Sequence, residues 1–223
     1  KAMKTILSTL VILLASRFAI AGSWEIVPAK NAGPMANGLN SISAASDNDI
    51  WAVGQAHNTP TTYNTVIEHW NGRRWSLVKS PNPTQQYNLL HGVAVVASND
   101  VWAVGGGGGN PYQTLIEHWN GKNWQLVPSP NVSASSNVLQ AVRPIAANDI
   151  WAAGYSVDQN LINHALAEHW DGTSWSVLTT PDRPNSDNRL ESLALTPTGA
   201  LWSAGVTGVF GKAEKDLILQ KTP

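Results

Sequence analysis

The sequence predicts an all-β repeat fold, and three observations carry the prediction. The phrase EHWNGRRW at 68–75 returns as EHWNGKNW at 117–124 and EHWDGTSW at 168–175. All 11 tryptophans fall into three periodic columns. No segment after residue 21 shows a helical hydrophobic period with caps, whereas short alternating runs recur throughout.

The first column is Trp51, Trp102, Trp151 and Trp202, each followed three residues later by glycine (Gly54, Gly105, Gly154, Gly205). The second is Trp70, Trp119 and Trp170, with Lys221 in the fourth place. The third is Trp24, Trp75, Trp124 and Trp175, each 27 residues ahead of the next member of the first. A fixed period near 50 residues marks a repeat architecture, which is sought before any other reading.

Each repeat reads as four short strands. Strand a is the alternating segment typified by NLLHGVAVVAS (88–98). A polar turn ending in Asp49, Asp100 or Asp149 leads to strand b, of the IWAVG type. A longer loop, with the run GGGGG (105–109) as a flexible example, leads to strand c (TVIEHW, TLIEHW, HALAEHW). Asn71-Gly72, Asn120-Gly121 and Asp171-Gly172 then turn the chain into strand d, because Asn and Gly tolerate positive φ. Pro-rich connections such as KSPNPTQQYN close each repeat.

Four-stranded antiparallel units at this period predict a β-propeller. The boundaries are 39–79, 88–128, 137–179 and 188–221, the last lacking strand d. Strand 24–27 is expected to supply it, closing a four-bladed ring and removing an open sheet edge. The tryptophan columns are expected to fill the wedge between neighbouring blades.

These motifs resemble the kelch and galactose-oxidase-like propellers, in which a glycine-ended strand b precedes an aromatic on c and a Trp on d. The two aromatics stand five residues apart here, closer than in kelch repeats. The nearest likeness is to secreted bacterial proteins with WAVG and EHWNG repeats. That resemblance implies a fold and no particular activity.

Residues 1–21 read as a secretory signal: Lys4, an apolar run at 6–15, and small residues at Ala19 and Ala21. The run is shorter than the about 20 residues a spanning helix needs. A secreted or periplasmic protein is therefore expected, with residues 22–223 as the propeller and no membrane insertion after cleavage. The formal charge of the whole chain is −1 with no basic run, which excludes an electrostatic footprint for nucleic acid. Cysteine is absent, which excludes thiol catalysis and thiolate metal sites.

The recurrent pairs Glu68-His69, Glu117-His118 and Glu168-His169 point to opposite faces of a strand, so neither metal nor cofactor is expected there and a packing role is. Candidate ligand-binding residues lie in the b–c loops and d-to-a connections, which share one face. They are Tyr63, Tyr87, Tyr112, Tyr155 and Phe210, joined by His57 and Asp158. Aromatic rings among neutral amides suit a glycan or a surface protein. Two alternatives accompany this reading: a structural subunit that assembles by donating its N-terminal strand, so that monomer and strand-exchanged oligomer are both open, and a glycan-active enzyme using Asp182, Asp187 and Glu191 in the acidic connection 181–191.

Overall fold

The computed structural model describes residues 23–109, 111–209 and 213–221. The signal segment and Phe210 lie outside the described residues. Among the described residues there are fifteen strands and no helix. Unit 1 contains β1 (Asn37–Ser46), β2 (Asp49–Thr59), β3 (Thr62–Trp70) and β4 (Trp75–Leu77). Unit 2 contains β5 (Tyr87–Ala97), β6 (Asp100–Gly108), β7 (Tyr112–Trp119) and β8 (Trp124–Leu126). Unit 3 contains β9 (Ser136–Ala146), β10 (Asp149–Val157), β11 (Asn163–Trp170) and β12 (Trp175–Leu178). Unit 4 contains β13 (Asp187–Leu195), β14 (Leu201–Gly208) and β15 (Lys215–Gln220). Within each unit successive strands pair antiparallel, and a single parallel bridge between Tyr63 and Tyr87 links units 1 and 2.

The glycine that ends each IWAVG phrase has a steric cause. Strand a bulges at the residue after Leu39, Leu90, Leu139 and Leu190, and strand b must accept the displaced backbone. A Cβ on Gly105 would stand 1.9 Å from the Leu89 carbonyl oxygen, and one on Gly154 2.0 Å from that of Val138. The c–d turns take positive φ at Gly72, Gly121 and Gly172, as their sequence requires.

Asp, Trp and His form a staple inside units 1 to 3. Asp49 Oδ1 accepts from Trp51 Nε1 at 3.0 Å and pairs with His69 Nε2 at 2.8 Å, while the imidazole stacks on the indole at 4.2 Å. Asp100, Trp102 and His118 repeat this arrangement, as do Asp149, Trp151 and His169. The histidines are thereby occupied in packing. Glu68, Glu117 and Glu168 point the other way and are buried.

Units join through one recurring apolar junction. Leu90 of unit 2 packs on Trp51, Val53 and Ile67 of unit 1, and Leu139 of unit 3 on Trp102, Val104 and Ile116 of unit 2. Leu190 meets Ala153 and Ala165 of unit 3. The first strands pack in series, β1 on β5, β5 on β9 and β9 on β13, with no comparable packing of β13 on β1.

Two expectations are corrected. Residues 24–27 form no strand, and Trp24 and Ile26 are fully exposed, so the sheet of unit 4 keeps three strands among the described residues. β13 and β1 do not pack extensively on one another, and residues 24–27 pair with no strand edge, that of β15 included. The glycine run is strand rather than loop as far as Gly108, because close backbone approach at Gly105 demands glycine and the a–b ladder extends to Gly108.

Candidate functional site

A buried asparagine column organises the face that carries the tyrosines. Asn37, Asn88, Asn137 and Asn188 stand two residues before the recurring leucines, and the last three are fully buried. The Oδ1 of Asn137 accepts from the backbone N–H groups of Val132 and Ser133, both at 3.0 Å, and Asn37 does the same for Ala32 and Gly33. Asn88 holds Thr84 and Asn188 holds Arg183. These bonds satisfy connection backbone that would otherwise be orphaned and fix each connection to its sheet.

On this frame the tyrosines occupy strands, not loops. Tyr63 and Tyr112 lie at the starts of β3 and β7, Tyr87 opens β5, and Tyr155 lies inside β10. The placement follows from the short β2–β3 hairpin, whose ladder extends to the Thr59–Thr62 pair. The Tyr63 N–H donates to the Gln86 carbonyl at 2.7 Å, and that of Tyr112 to Ser136 Oγ at 3.2 Å.

The rings gather into a ridge across units. The His57 and Tyr63 centroids are 3.9 Å apart, Tyr63 and Tyr87 5.1 Å, and Tyr87 and Tyr112 5.6 Å, all tilted. Burial pushes the Tyr112 hydroxyl above its ordinary pKa, and the neighbouring Tyr87, Tyr155 and Tyr63 hydroxyls push it further. Tyr155 is also raised, chiefly by burial, with Arg189 opposing and Glu191 adding to the effect. The ring contacts therefore run from His57 and Tyr63 of unit 1 to Tyr87 and Tyr112 of unit 2, with Tyr155 of unit 3 near enough to act on the Tyr112 hydroxyl. All five residues are half-buried. Their hydroxyls and ring faces offer both hydrogen bonding and apolar contact.

Asp158 stands apart from the ridge residues in role. Its Oδ1 accepts from the backbone N–H groups of Asn160 and Ile162 at 2.8 and 2.9 Å, an Asx-type turn, and the Ile162 bond above all lowers its pKa. The acidic connection is similarly engaged. Asp182 Oδ1 accepts from the Ala165 N–H at 2.9 Å, the place Asn82 and Asn131 fill for Thr65 and Thr114. Its Oδ2 pairs with His164 Nδ1 at 2.7 Å. That bond to Asp182 is the main cause of the raised His164 pKa. Asp187 Oδ1 accepts from the backbone and side-chain nitrogens of Asn163. These carboxylates act as loop staples.

Sequence reasoning missed the asparagine column, His164 and the bulges at Asn40, His91 and Gln140, and placed Glu191 in a connection although it sits at the bulge inside β13. The bulges carry a readable signal, a polar residue after the recurring leucine in LNSI, LHGV, LQAV and LESL. Asn40 Nδ2 crosses to the Leu90 carbonyl of unit 2 at 2.8 Å, and burial pushes the His91 pKa down.

No protein-family model matches the chain, and no curated protein does. Among solved structures it is similar to a protein of unknown function from Dyadobacter fermentans, with TM-score 0.59 and 12% identity over 81% of this chain and 64% of that one. It is also similar to YCF48 bound to D1 peptide, with TM-score 0.49 and 14% identity over 80% of this chain and 53% of that one. A fucose lectin from Kordia zhangzhouensis, in complex with methyl-fucoside, gives TM-score 0.45 and 12% identity over 65% of this chain and 100% of that one. The chain thus spans between half and two thirds of the length of the first two. At 12% identity the likeness to the Dyadobacter fermentans protein is one of fold alone.

Proposed function

We propose that the chain is a four-bladed, propeller-type binding module without enzymatic activity, whose tyrosine ridge takes a glycan. The blades are the units at 39–79, 88–128, 137–179 and 188–221. The observation that carries the reading is the contact of Tyr63 of unit 1 with Tyr87 and, through it, Tyr112 of unit 2 in one ridge, with Tyr155 of unit 3 nearby. The repeat does not require these rings. In the place Tyr63 takes opposite His57, unit 2 has Tyr112 opposite Gly108, and unit 3 has Asn163 opposite Val157. A sugar presents apolar C–H faces and hydroxyl edges, which such a ridge can meet together. The reading of residues 1–21 as a signal segment supports action after export, secreted or periplasmic.

The acid–base alternative draws less support, because the Oδ1 of Asp158, Asp182 and Asp187 each accepts from a backbone N–H and the Oδ2 of Asp158 and Asp182 face His164. A glycan array and a surface-protein pull-down with residues 22–223 test the proposal. Tyr63→Ala, Tyr112→Ala and Tyr155→Ala should each weaken glycan binding by about 30-fold, the loss expected of a binding hot spot. Retained binding in all three, capture of a surface protein alone, or glycan turnover lost in Asp182→Asn would overturn it.

A further inference from the structure

One position on the tyrosine face changes character from junction to junction. It brings the start of strand c in one unit against the first residue of strand a in the next. Between units 1 and 2 these are Tyr63 and Tyr87, with ring centroids 5.1 Å apart. Between units 2 and 3 they are Tyr112 and Ser136, joined by the 3.2 Å bond from the Tyr112 N–H to Ser136 Oγ. Between units 3 and 4 they are Asn163 and Asp187, whose Oδ1 accepts from the Asn163 backbone and side-chain nitrogens at 2.8 and 2.9 Å. The three junctions are continuous, because Ser136 pairs with Val157 and Val157 with Asn163. At the same place in the repeat, an aromatic platform gives way to an amide and a carboxylate.

A cavity of about 430 Å³ opens beside this polar pair, within the about 300–1,000 Å³ of small-ligand pockets. Leu161, Ile162 and Val209 give it an apolar wall, and Asn160, Asn185 and Asp187 a polar one. Leu161 is 78% exposed and Val209 44%, so the apolar wall is open to an incoming group. Among the described residues Leu161 and Asn185 are the non-glycine residues with positive φ, 63° and 54°, and both line this cavity. A leucine in that region is strained, and such strain persists where surrounding bonds over-determine the loop. Here Asp158 Oδ1 accepts from Asn160 and Ile162, and the Leu161 N–H donates to the Asp158 carbonyl at 3.1 Å. His164 ties that loop to the next connection, lying 3.5 Å from Asp158 Oδ2 and 2.7 Å from Asp182 Oδ2. The Asn185 amide and Asp187 Oδ2 stay unengaged by other described residues.

We propose that this cavity takes the acetamido group of an N-acetylated sugar, so that the glycan on the tyrosine ridge is one built from N-acetylhexosamine. The inference rests on the glycan reading of the ridge and names its substrate class. An acetamido group carries a methyl, an N–H donor and a carbonyl acceptor in one plane. The methyl matches Leu161, Ile162 and Val209. The N–H matches Asp187 Oδ2, a pure acceptor when ionised, and the carbonyl matches the Asn185 Nδ2 donors. A sugar with a hydroxyl in that place meets the polar wall and leaves the apolar wall wet. Further rings of the glycan lie over Tyr112, Tyr87 and Tyr63. Asp158 is then a positioning residue, which fixes the Leu161 turn and touches no ligand.

Chitotetraose and cellotetraose test this directly, since they share one backbone and differ by an acetamido group in place of a hydroxyl. In calorimetric titration the protein should bind chitotetraose at least about 10-fold more tightly. Leu161→Gly and Asn185→Gly remove one element of the cavity each, and glycine takes positive φ without strain, so both variants should fold. Each should cut the preference to about 3-fold or less, through weaker chitotetraose binding alone. Tyr63→Ala should weaken both tetrasaccharides alike. Equal binding of the two by the unmodified protein, or a preference kept in both glycine variants, would overturn the inference and leave the ridge reading standing. Binding of neither while the array finds another glycan would do the same, and no glycan binding at all would overturn both. The comparison on the unmodified protein needs no substitution, so it stays decisive if a variant misfolds.

Discussion

Leu39 and Leu90 hold the same place in consecutive units, each opposite the glycine that ends an IWAVG phrase. Leu90 is sealed against Trp51, Val53 and Ile67 of the unit before it, while Leu39, with no such partner among the described residues, is 47% exposed. Trp102 and Trp202 make the mirror comparison at the other face: Trp102 lies under Trp170 and Trp175, and Trp202 is left partly bare. The same side chain is core in one unit and surface in another, so burial here belongs to the junction and not to the residue.

The largest effect that tests this comparison comes from an inner junction. Trp124→Ala removes a buried indole between units 1 and 2 and should cost about 3–5 kcal/mol in urea denaturation. A cost below about 1 kcal/mol would mean that the indole layer does not hold the units together. Next comes Gly105→Ala, which drives a Cβ into the Leu89 carbonyl and should cost about 1–3 kcal/mol through backbone displacement. The same cost is expected at Gly154, because the bulge recurs there.

A pH effect separates the junction between units 1 and 2 from that between 2 and 3. Burial pushes Glu117 up to about 8, and its carboxyl oxygens are buried with no hydrogen-bond partner. Glu168 is raised less, to about 7, because burial is partly offset by the Ser129 hydroxyl. For both groups the folded state binds protons more tightly than the unfolded chain, so stability is fully present below the ordinary carboxylate range. It falls as pH rises above that range and levels off beyond about 7 for Glu168 and about 8 for Glu117. Glu117→Gln should remove the upper part of that fall, raising Tm at pH near 8.5 by about 2–4 °C, with little change near pH 5. A thermal melt series across pH checks it, and an unchanged slope would place the titration elsewhere.

The smallest effect belongs to the open end. Trp202→Ala should cost less than about 1 kcal/mol in dilute, monomeric protein, in contrast to Trp124→Ala, because the side chain has only part of its junction.

The tryptophan columns, the Asn-Gly turns and the order of strands were legible because each is a local pattern repeated at fixed spacing. The asparagine column and the bulges were not, since they depend on which residues of strands a and b stand opposite one another. Leu39 opposite Gly54, with Asn40 looped out, is a register fact rather than a composition fact. The tyrosines were found as a group, but Gly105 to Gly108 and the short Pro60-Thr61 turn were read as loop, which put Tyr63 and Tyr112 off the sheet. Closure by Trp24–Val27 was reasoned from strand count alone. Whether the ends of one chain meet depends on the wedge angle between neighbouring units, a sum over many contacts that no single residue encodes.

The nearest-neighbour character of the junctions also governs how the molecule comes apart. Each unit touches only those beside it, so its stability behaves as a line of coupled elements in which interior members are held twice and terminal members once. Among the described residues unit 4 packs on unit 3 alone, through the small Leu190, Ala153 and Ala165 cluster. Fraying should therefore begin at β13, β14 and β15, whose amide hydrogens should exchange ahead of those in β5 to β8.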